Sequence, residues 1–172
     1  MGNKTKNLLI ACTFLLLLLV TVVVGYFIVV RKNFTNTIVI KNNKEIHNIM
    51  EVSNLRLLPS ESKEYEISLS SRISGDFIIT MNYNESKDGG MKEFVDVKIM
   101  IKDDVIYNGK LSELFNEEAI LTYKFTVTDG YESKILILYS MDESVGNEAE
   151  RTYSDFEIDF NVKSNNGEWV WC

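Results

Sequence analysis

The pattern of apolar and polar positions divides the chain into one uninterrupted apolar run and a longer part in which the two kinds of residue alternate. The run extends from Leu8 to Val30 without a charged residue or a proline. As a helix rising about 1.5 Å per residue it is about 34 Å long, which is enough to cross a hydrocarbon core of about 30 Å. A core helix of a soluble protein keeps a polar stripe, whereas this run offers only Thr13 and Thr21. The pattern therefore predicts a transmembrane helix over residues 8–30.

The run is also longer than the apolar part of a secretory signal, which covers about 7–15 residues. Bulky residues from Tyr26 to Val30 occupy the end where a signal peptidase requires small ones. We therefore favour a retained signal-anchor over a cleaved signal peptide. Residues 1–7 are then a short cytoplasmic amino terminus, and the lipid bilayer is the partner of residues 8–30.

The charges on either side of the run bear on its orientation. Arg31, Lys32, Lys41 and Lys44 follow it, and counted alone they favour a cytoplasmic carboxyl-terminal part. Long domains, however, cross the membrane largely regardless of charge. Only two of the 18 Lys and Arg residues precede Arg31, so the rest of the chain carries 16 against 25 acidic residues, a net charge of −9. We expect a single-pass protein of the cell membrane with this acidic domain outside the cytoplasm.

Beyond the juxtamembrane part the apolar residues recur at every second position, which is typical of strands with one buried face. Five such segments are present: Glu64–Leu69, Asp76–Tyr83, Val95–Lys102, Leu121–Val127 and Asp155–Lys163. A sixth segment, Lys134–Tyr139, is apolar on both faces and predicts a central strand that is covered on both sides.

Turn-forming dipeptides separate these segments. Asp88-Gly89-Gly90, Asn108-Gly109 and Asp129-Gly130 supply the positive φ that tight hairpins need, and Ser112–Asn116 predicts a single helical turn. The sequence thus predicts an all-β fold, an antiparallel β-sandwich or jelly roll of about seven to eight strands, after one amino-terminal transmembrane helix. The predicted organisation is a linker over 31–54, a sandwich over 55–165 and an aromatic tail over 166–172.

The composition excludes some classes of partner. An acidic chain without a basic stripe argues against nucleic acid. The two cysteines, Cys12 and Cys172, lie in the anchor and at the last position, so the exported domain has no internal disulfide. This favours a bacterial surface of the Gram-positive type over a small eukaryotic secreted module.

No set of residues predicts catalysis. His47 is the single histidine and lies in the predicted linker, away from any nucleophile motif, so we interpret it as an exposed linker residue. Zinc sites need several His or Cys ligands. We therefore expect a protein that is not an enzyme and has no cofactor.

The loop after the sixth segment is the strongest candidate for a hard cation such as calcium. It places five oxygen-bearing side chains in a short span: Asp142, Glu143, Asn147, Glu148 and Glu150. The alternative is a solvated acidic surface, which is the commoner role of such residues.

The last residues form a second candidate. Trp169 and Trp171 are two positions apart and share one side if the tail is extended. With Cys172 they are candidates for binding a partner, through aromatic contacts or an intermolecular disulfide. The alternative is a last edge strand that covers the core.

Two short motifs resemble a known group of proteins. Leu57-Leu58-Pro59-Ser60-Glu61-Ser62 resembles the L-x-P-G-E-S turn of many bacterial surface β-sandwiches. Gly146-Asn147-Glu148-Ala149-Glu150, followed by an alternating strand, is similar to the end of domains in the TasA/camelysin group of exported Gram-positive proteins. Over residues 54–163 the resemblance implies a jelly roll at the cell surface, with biofilm-matrix subunits and a described metalloprotease among the relatives. No metal-ligand set matches, so no catalytic residue is assigned.

These observations predict a membrane-anchored extracytoplasmic β-sandwich with a structural or protein-binding role, related in one version to a biofilm matrix. Self-association is one form of that role, since Thr37–Ile40 could be a spare strand that adds to a neighbour's sheet. The alternatives are an exported camelysin-like metalloprotease and an accessory subunit of a membrane complex.

Overall fold

The computed structural model describes residues 36–116 and 118–165 and, before them, Thr13 alone. The chain separates into two units, Met1–Thr35 and Asn36–Cys172, and the fold described below belongs to the second. The predicted transmembrane helix over 8–30, apart from Thr13, lies outside the described residues, and so does the tail over 166–172. Among the helices of the described part, none has the length and apolar character that a membrane crossing requires.

Strands make up most of the described part. Nine are present: β1 (Asn36–Ile40), β2 (Ile46–Leu55), β3 (Ser62–Ser71), β4 (Gly75–Gly89), β5 (Val95–Ile101), β6 (Asp104–Lys110), β7 (Leu121–Val127), β8 (Tyr131–Met141) and β9 (Tyr153–Ser164). One short helix, α1 (Leu111–Leu114), follows β6, and two 3₁₀ turns cover Met91–Glu93 and Asn147–Ala149. The helical turn expected near Ser112 is thus confirmed.

The strands form two sheets. One has the order β1-β3-β8-β5-β6 and the other has the order β2-β9-β4-β7. Four antiparallel pairs are nested along the chain, because β2 pairs with β9, β3 with β8, β4 with β7, and β5 with β6. From β2 onward the chain is therefore one long hairpin whose paired strands lie alternately in the two sheets.

Alternation of side chains explains the core. Successive residues of a strand point to opposite faces, so an apolar residue at every second position fills the space between two sheets. In β5 the four apolar residues at odd positions are all 0% exposed, whereas the residues between them are partly exposed. The inward residues of β4 and β9 are buried in the same way. The all-β, two-sheet architecture predicted from the sequence is confirmed.

The amino-terminal boundary of the sandwich differs from the prediction. The predicted linker over 31–54 contains β1 and nearly all of β2, which are joined by residues 41–45. In β1, Ile38 and Ile40 are 1% and 0% exposed, and the strand pairs in parallel with β3, from Asn36 opposite Ile67 to Ile40 opposite Ser71. The segment Thr37–Ile40 is therefore not a spare strand, because the chain's own sheet already uses it.

Two further predictions were wrong in detail. Asn108-Gly109 is not a turn but lies inside β6, and the β5–β6 hairpin turns at Lys102 and Asp103 instead. Strand β8 is central, as predicted, but only its inner face is fully buried, since Leu136 and Leu138 are partly exposed on the other face. Gly90 and Gly130 do adopt the expected positive φ, at 84° and 78°.

Candidate functional site

The predicted calcium loop does not gather its ligands. Asp142, Glu143, Asn147, Glu148 and Glu150 are all exposed, and the last part of the loop is occupied by the 3₁₀ turn. Asp142 accepts a hydrogen bond from the backbone N–H of Ser144 at 2.8 Å. Hydrogen bonds from the side chain and backbone of Ser144 lower the pKa of Asp142. In the described part of the chain, no group of three or more His, Cys, Asp or Glu side chains is placed to hold a metal ion.

The other predicted residues fall in two places. Trp169, Trp171 and Cys172 lie outside the described residues, so their role in binding a partner stays a prediction. His47 lies in β2 rather than in a linker. Its side chain is 60% exposed, and its Nε2 is 3.8 Å from Oε1 of Glu45. An exposed histidine beside one carboxylate is an ordinary surface pair.

The outer face of the five-stranded sheet carries the feature that we take as the candidate site. Four apolar side chains lie there on the three strands β8, β5 and β6, and we call them the apolar strip: Leu136, Leu138, Met100 and Val105. Register places them together, since Met100 is opposite both Leu136 and Val105. Val105 is 52% exposed, and the other three are partly exposed.

Charged residues lie next to the apolar strip on β3 and β5. Glu66 lies opposite Leu136 on β3, and Lys98 lies opposite Leu138 on β5. Nζ of Lys134 is 2.9 Å from Oε1 of Glu66. An apolar centre with a charged rim is the composition of a contact surface rather than of a catalytic pocket.

A concavity of about 690 Å³, which we call the groove, adjoins the strip at Leu136. Its lining includes three hydroxyl-bearing residues of the outer face, Thr37, Ser68 and Ser70, and four charged residues, Lys102, Asp103, Glu132 and Lys134. Register explains why residues so distant in sequence meet, because Thr37 is opposite Ser68 and Ser68 is opposite Lys134.

Lys102 occupies an unusual position at the edge of the groove. It is the first residue of the two-residue turn between β5 and β6, and its φ is 56°. Left-handed backbone in a residue other than glycine costs about 1–2 kcal/mol. Its Nζ lies 4.6 Å from the centre of the Tyr131 ring, and no carboxylate of the described part lies within 4.0 Å of it. The ring thus positions an ammonium group that has no acidic partner there.

A hydrogen bond fixes the other side of this turn. The hydroxyl of Tyr123, on β7 of the second sheet, donates to Oδ2 of Asp104 at 2.6 Å. The hydrogen bond, with burial as a smaller cause, raises the pKa of Tyr123 to about 12. This contact joins the edge strands of the two sheets and holds the start of β6 beside the groove.

The groove brings together groups that can bind a ligand through hydrogen bonds and an apolar contact. Its groups are hydroxyls, ammonium groups, carboxylates and an apolar floor, and the single histidine of the chain is not among the groove residues. Only one signal in the sequence pointed to this face, namely the apolar residues on both sides of β8. The groove itself combines three strands and a turn, which no local pattern reveals.

Comparisons with known proteins show no family. No protein-family model matches the chain, and no curated protein matches it. Among solved structures, it is similar to the CUB1-EGF-CUB2 domains of rat MASP-1, at 11% identity and a TM-score of 0.38, over 80% of this chain and 48% of that chain. It is also similar to a β-glucosidase from Paenibacillus barengoltzii, at 7% identity and a TM-score of 0.32, over 73% of this chain and 11% of that chain.

A third similar structure is PliG of Aeromonas hydrophila, a periplasmic inhibitor of g-type lysozyme. The identity is 8% and the TM-score is 0.29, over 74% of this chain and 96% of that chain. The chain thus spans less than half the length of the glucosidase and of the MASP-1 fragment. Similarity at these scores carries no argument about function.

Proposed function

We propose that the chain is a membrane-anchored, extracytoplasmic β-sandwich module of a Gram-positive-type cell surface, with a structural or protein-binding role. The apolar run from Leu8 to Val30 supports the anchor, because its length and lack of charge suit a bilayer. The excess of acidic residues after the run supports a place outside the cytoplasm. A biofilm matrix is one setting for such a role, on the strength of the TasA-like motifs alone.

The strand order supports a jelly roll as the finer description of the fold. In β2 to β9 the first strand pairs with the last and the second with the next to last, and each pair lies in the sheet opposite to the pair before it. Two interlocked Greek keys give this order. Strand β1 is then an addition at the edge of the five-stranded sheet.

The apolar strip is the observation that carries the binding role. Apolar side chains left partly exposed side by side on one face of a sheet, rather than scattered singly, are typical of surfaces that another macromolecule covers. Burying apolar area contributes about 25 cal/mol per Å². A charged rim adds specificity to such a contact. We therefore place the protein contact at Leu138, Met100 and Val105.

Two experiments test this function. The first treats intact cells with protease before and after lysis. A membrane-bound chain that is cut only after lysis would contradict an extracytoplasmic domain, and a chain that leaves the membrane in a high-salt wash would contradict the anchor.

The second experiment compares Leu138→Lys with Thr122→Lys by cross-linking in intact cells. Both variants add one positive charge to an outer sheet face, but Thr122 lies on β7 of the other sheet. We expect cross-linked adducts of the chain to disappear in Leu138→Lys and to persist in Thr122→Lys. If the cross-linked adducts persist in both variants, the apolar strip is not part of the protein contact. Adducts of two copies would identify the contact as self-association.

A further inference from the structure

The groove differs from the apolar strip in its chemistry. Its volume of about 690 Å³ falls in the range of small-molecule sites, about 300–1,000 Å³. Hydroxyl groups, which both donate and accept hydrogen bonds, come from Thr37, Ser68 and Ser70 on two neighbouring strands. Such a wall suits a ligand that also carries donors and acceptors side by side.

The charges of the groove balance. Among the lining residues, Lys102 and Lys134 carry ammonium groups and Asp103 and Glu132 carry carboxylates. The ammonium of Lys134 also pairs with Glu66, just outside the lining, at 2.9 Å, and that of Lys102 lies over the Tyr131 ring. A cleft lined by one sign of charge attracts ions of the other sign. The groove lacks an excess of positive charge, so its lining favours an uncharged ligand over an anion. Exposed ammonium and carboxylate groups can make charge-assisted hydrogen bonds to a hydroxyl-bearing ligand, which are the stronger kind.

Leu136 gives the groove an apolar floor, close to the point where the pairing of β5 with β8 ends. The ladder between β5 and β8 ends at Ile101 opposite Ile135, while β8 continues back to Tyr131. The β5-facing edge of Glu132 and Ser133 therefore lies beyond that ladder. A ligand with a flat apolar surface and hydroxyls around its rim matches this combination of floor and wall.

We propose that the groove binds a neutral saccharide, with the C–H face of one sugar ring on Leu136 and its hydroxyls on the serine, lysine and carboxylate groups. This goes beyond the protein contact proposed above, which uses Leu138, Met100 and Val105. It also does not depend on the membrane anchor. Failure of one proposal therefore leaves the other standing.

The test uses the full chain in lipid nanodiscs, since many detergents carry sugar head groups. The probes are maltotetraose, cellotetraose and chitotetraose, which are uncharged, and tetragalacturonate, which is anionic. Isothermal titration is expected to show binding of at least one neutral probe with a dissociation constant of about 1 mM or tighter. Tetragalacturonate is expected to bind more weakly.

Two groove variants and one control locate the binding. Leu136→Asn removes the apolar floor, and Lys102→Gly removes the ammonium while keeping the positive φ that glycine adopts freely. Each is expected to weaken the binding about tenfold. Lys124→Gln removes a charge from the outer face of β7 and is expected to change nothing. Should Leu136→Asn fail to fold, Lys102→Gly decides alone, because it relieves backbone strain instead of adding any.

Three results would overturn the proposal. The first is the absence of heat with all three neutral probes. The second is binding that both groove variants leave unchanged, which would place the saccharide elsewhere on the chain. The third is binding of tetragalacturonate alone with a strong dependence on salt, which would identify an anion site.

Discussion

A single residue can determine how closely two paired strands approach each other, and Gly89 at the end of β4 is the clearest case. A Cβ at this position would overlap the backbone oxygen and the ring of Tyr153, to which Gly89 is paired across β4 and β9. Because the backbone oxygen cannot rotate away, the strands must separate to accept it. We expect Gly89→Ala to lower the free energy of unfolding by about 1–3 kcal/mol.

Gly146→Ala is the matched control for this prediction. Nothing lies within 4 Å of a Cβ at Gly146, and its φ is −79°, so alanine is expected to be neutral or slightly stabilising. Urea unfolding of both variants measures the difference. Equal stabilities would mean that β4 and β9 are less closely paired at this end than their register indicates.

Tyr123 makes stability depend on alkaline pH. Its pKa is raised to about 12, chiefly by the hydrogen bond to Asp104, whereas an unfolded tyrosine titrates near 10. The folded chain therefore keeps this proton where the unfolded chain has released it. The stabilisation of the folded chain that comes from this raised pKa is complete below about pH 10. It declines as the pH rises towards 12.

We expect Tyr123→Phe to reduce the loss of stability between about pH 10 and pH 12 relative to the unmodified chain. The comparison must be made as a difference, because burial also raises the pKa of Tyr83 and Tyr139. Melting temperatures of both chains across this pH range give the measurement. Parallel curves for the two chains would show that Tyr123 does not contribute.

Among the elements, variants in strand β1 can show whether this edge of the five-stranded sheet is a stable part of the domain. Ile40 is fully buried, whereas the neighbouring Val39 is partly exposed on the outer face. Truncating a buried isoleucine to alanine costs about 2–5 kcal/mol. We expect Ile40→Ala to lower stability by an amount in this range and Val39→Ala by less than 1 kcal/mol, roughly.

Chemical denaturation of the two variants measures this difference. Similar small losses of stability in Ile40→Ala and Val39→Ala would indicate that β1 leaves the sheet in solution. The segment Thr37–Ile40 would then be free to add to the sheet of a neighbouring copy. A large loss at Ile40 alone would establish β1 as part of the core.

The elements also show what the sequence could reveal. The strands β4, β5 and β9 were predicted because alternation in the sequence reports a local fact, one face buried and the other more accessible. Ile78 of β4 departs from this pattern, since it is 1% exposed between two buried neighbours. Strand β2 was missed because exposed Ile49, at 57%, breaks the alternation of its buried Met50 and Val52. The pairing of β1 with β3 was out of reach, since it depends on a partner about thirty positions away and not on either segment alone.

The same reasoning applies to the turns and to the candidate site. Asn108-Gly109 has the composition of a hairpin turn, yet it lies within a strand. A glycine is needed there because Tyr107 and Glu113 occupy the space that a Cβ at position 109 would take. The actual turn at Lys102 carries no glycine. The groove was not predictable, because its hydroxyls and charges are ordinary surface residues until the register brings them together.

At the scale of the whole domain, stability depends on how closely the two sheets pack against each other. A pair of buried tyrosines, one from each sheet, allows this packing to be measured. Tyr83 belongs to the four-stranded sheet and Tyr139 to the five-stranded sheet, and their hydroxyls are 3.4 Å apart. Both residues are at most 3% exposed, and the ring of Phe156 lies within 6 Å of each. The hydroxyls thus satisfy each other across an otherwise apolar interface.

Removing one hydroxyl leaves the other buried without this partner, which costs about 1–3 kcal/mol, whereas removing both leaves an apolar contact of nearly the same shape. We therefore expect Tyr83→Phe and Tyr139→Phe each to lower stability and the double variant to lose less than the sum. Urea unfolding of the four chains gives the coupling energy. Tyr83→Phe with Tyr123→Phe is the control, because Tyr123 pairs with Ile79, four residues from Tyr83 along β4. Additive losses in both cycles would mean that water reaches the two phenols, so that the sheets are less closely packed at this point than in the structure.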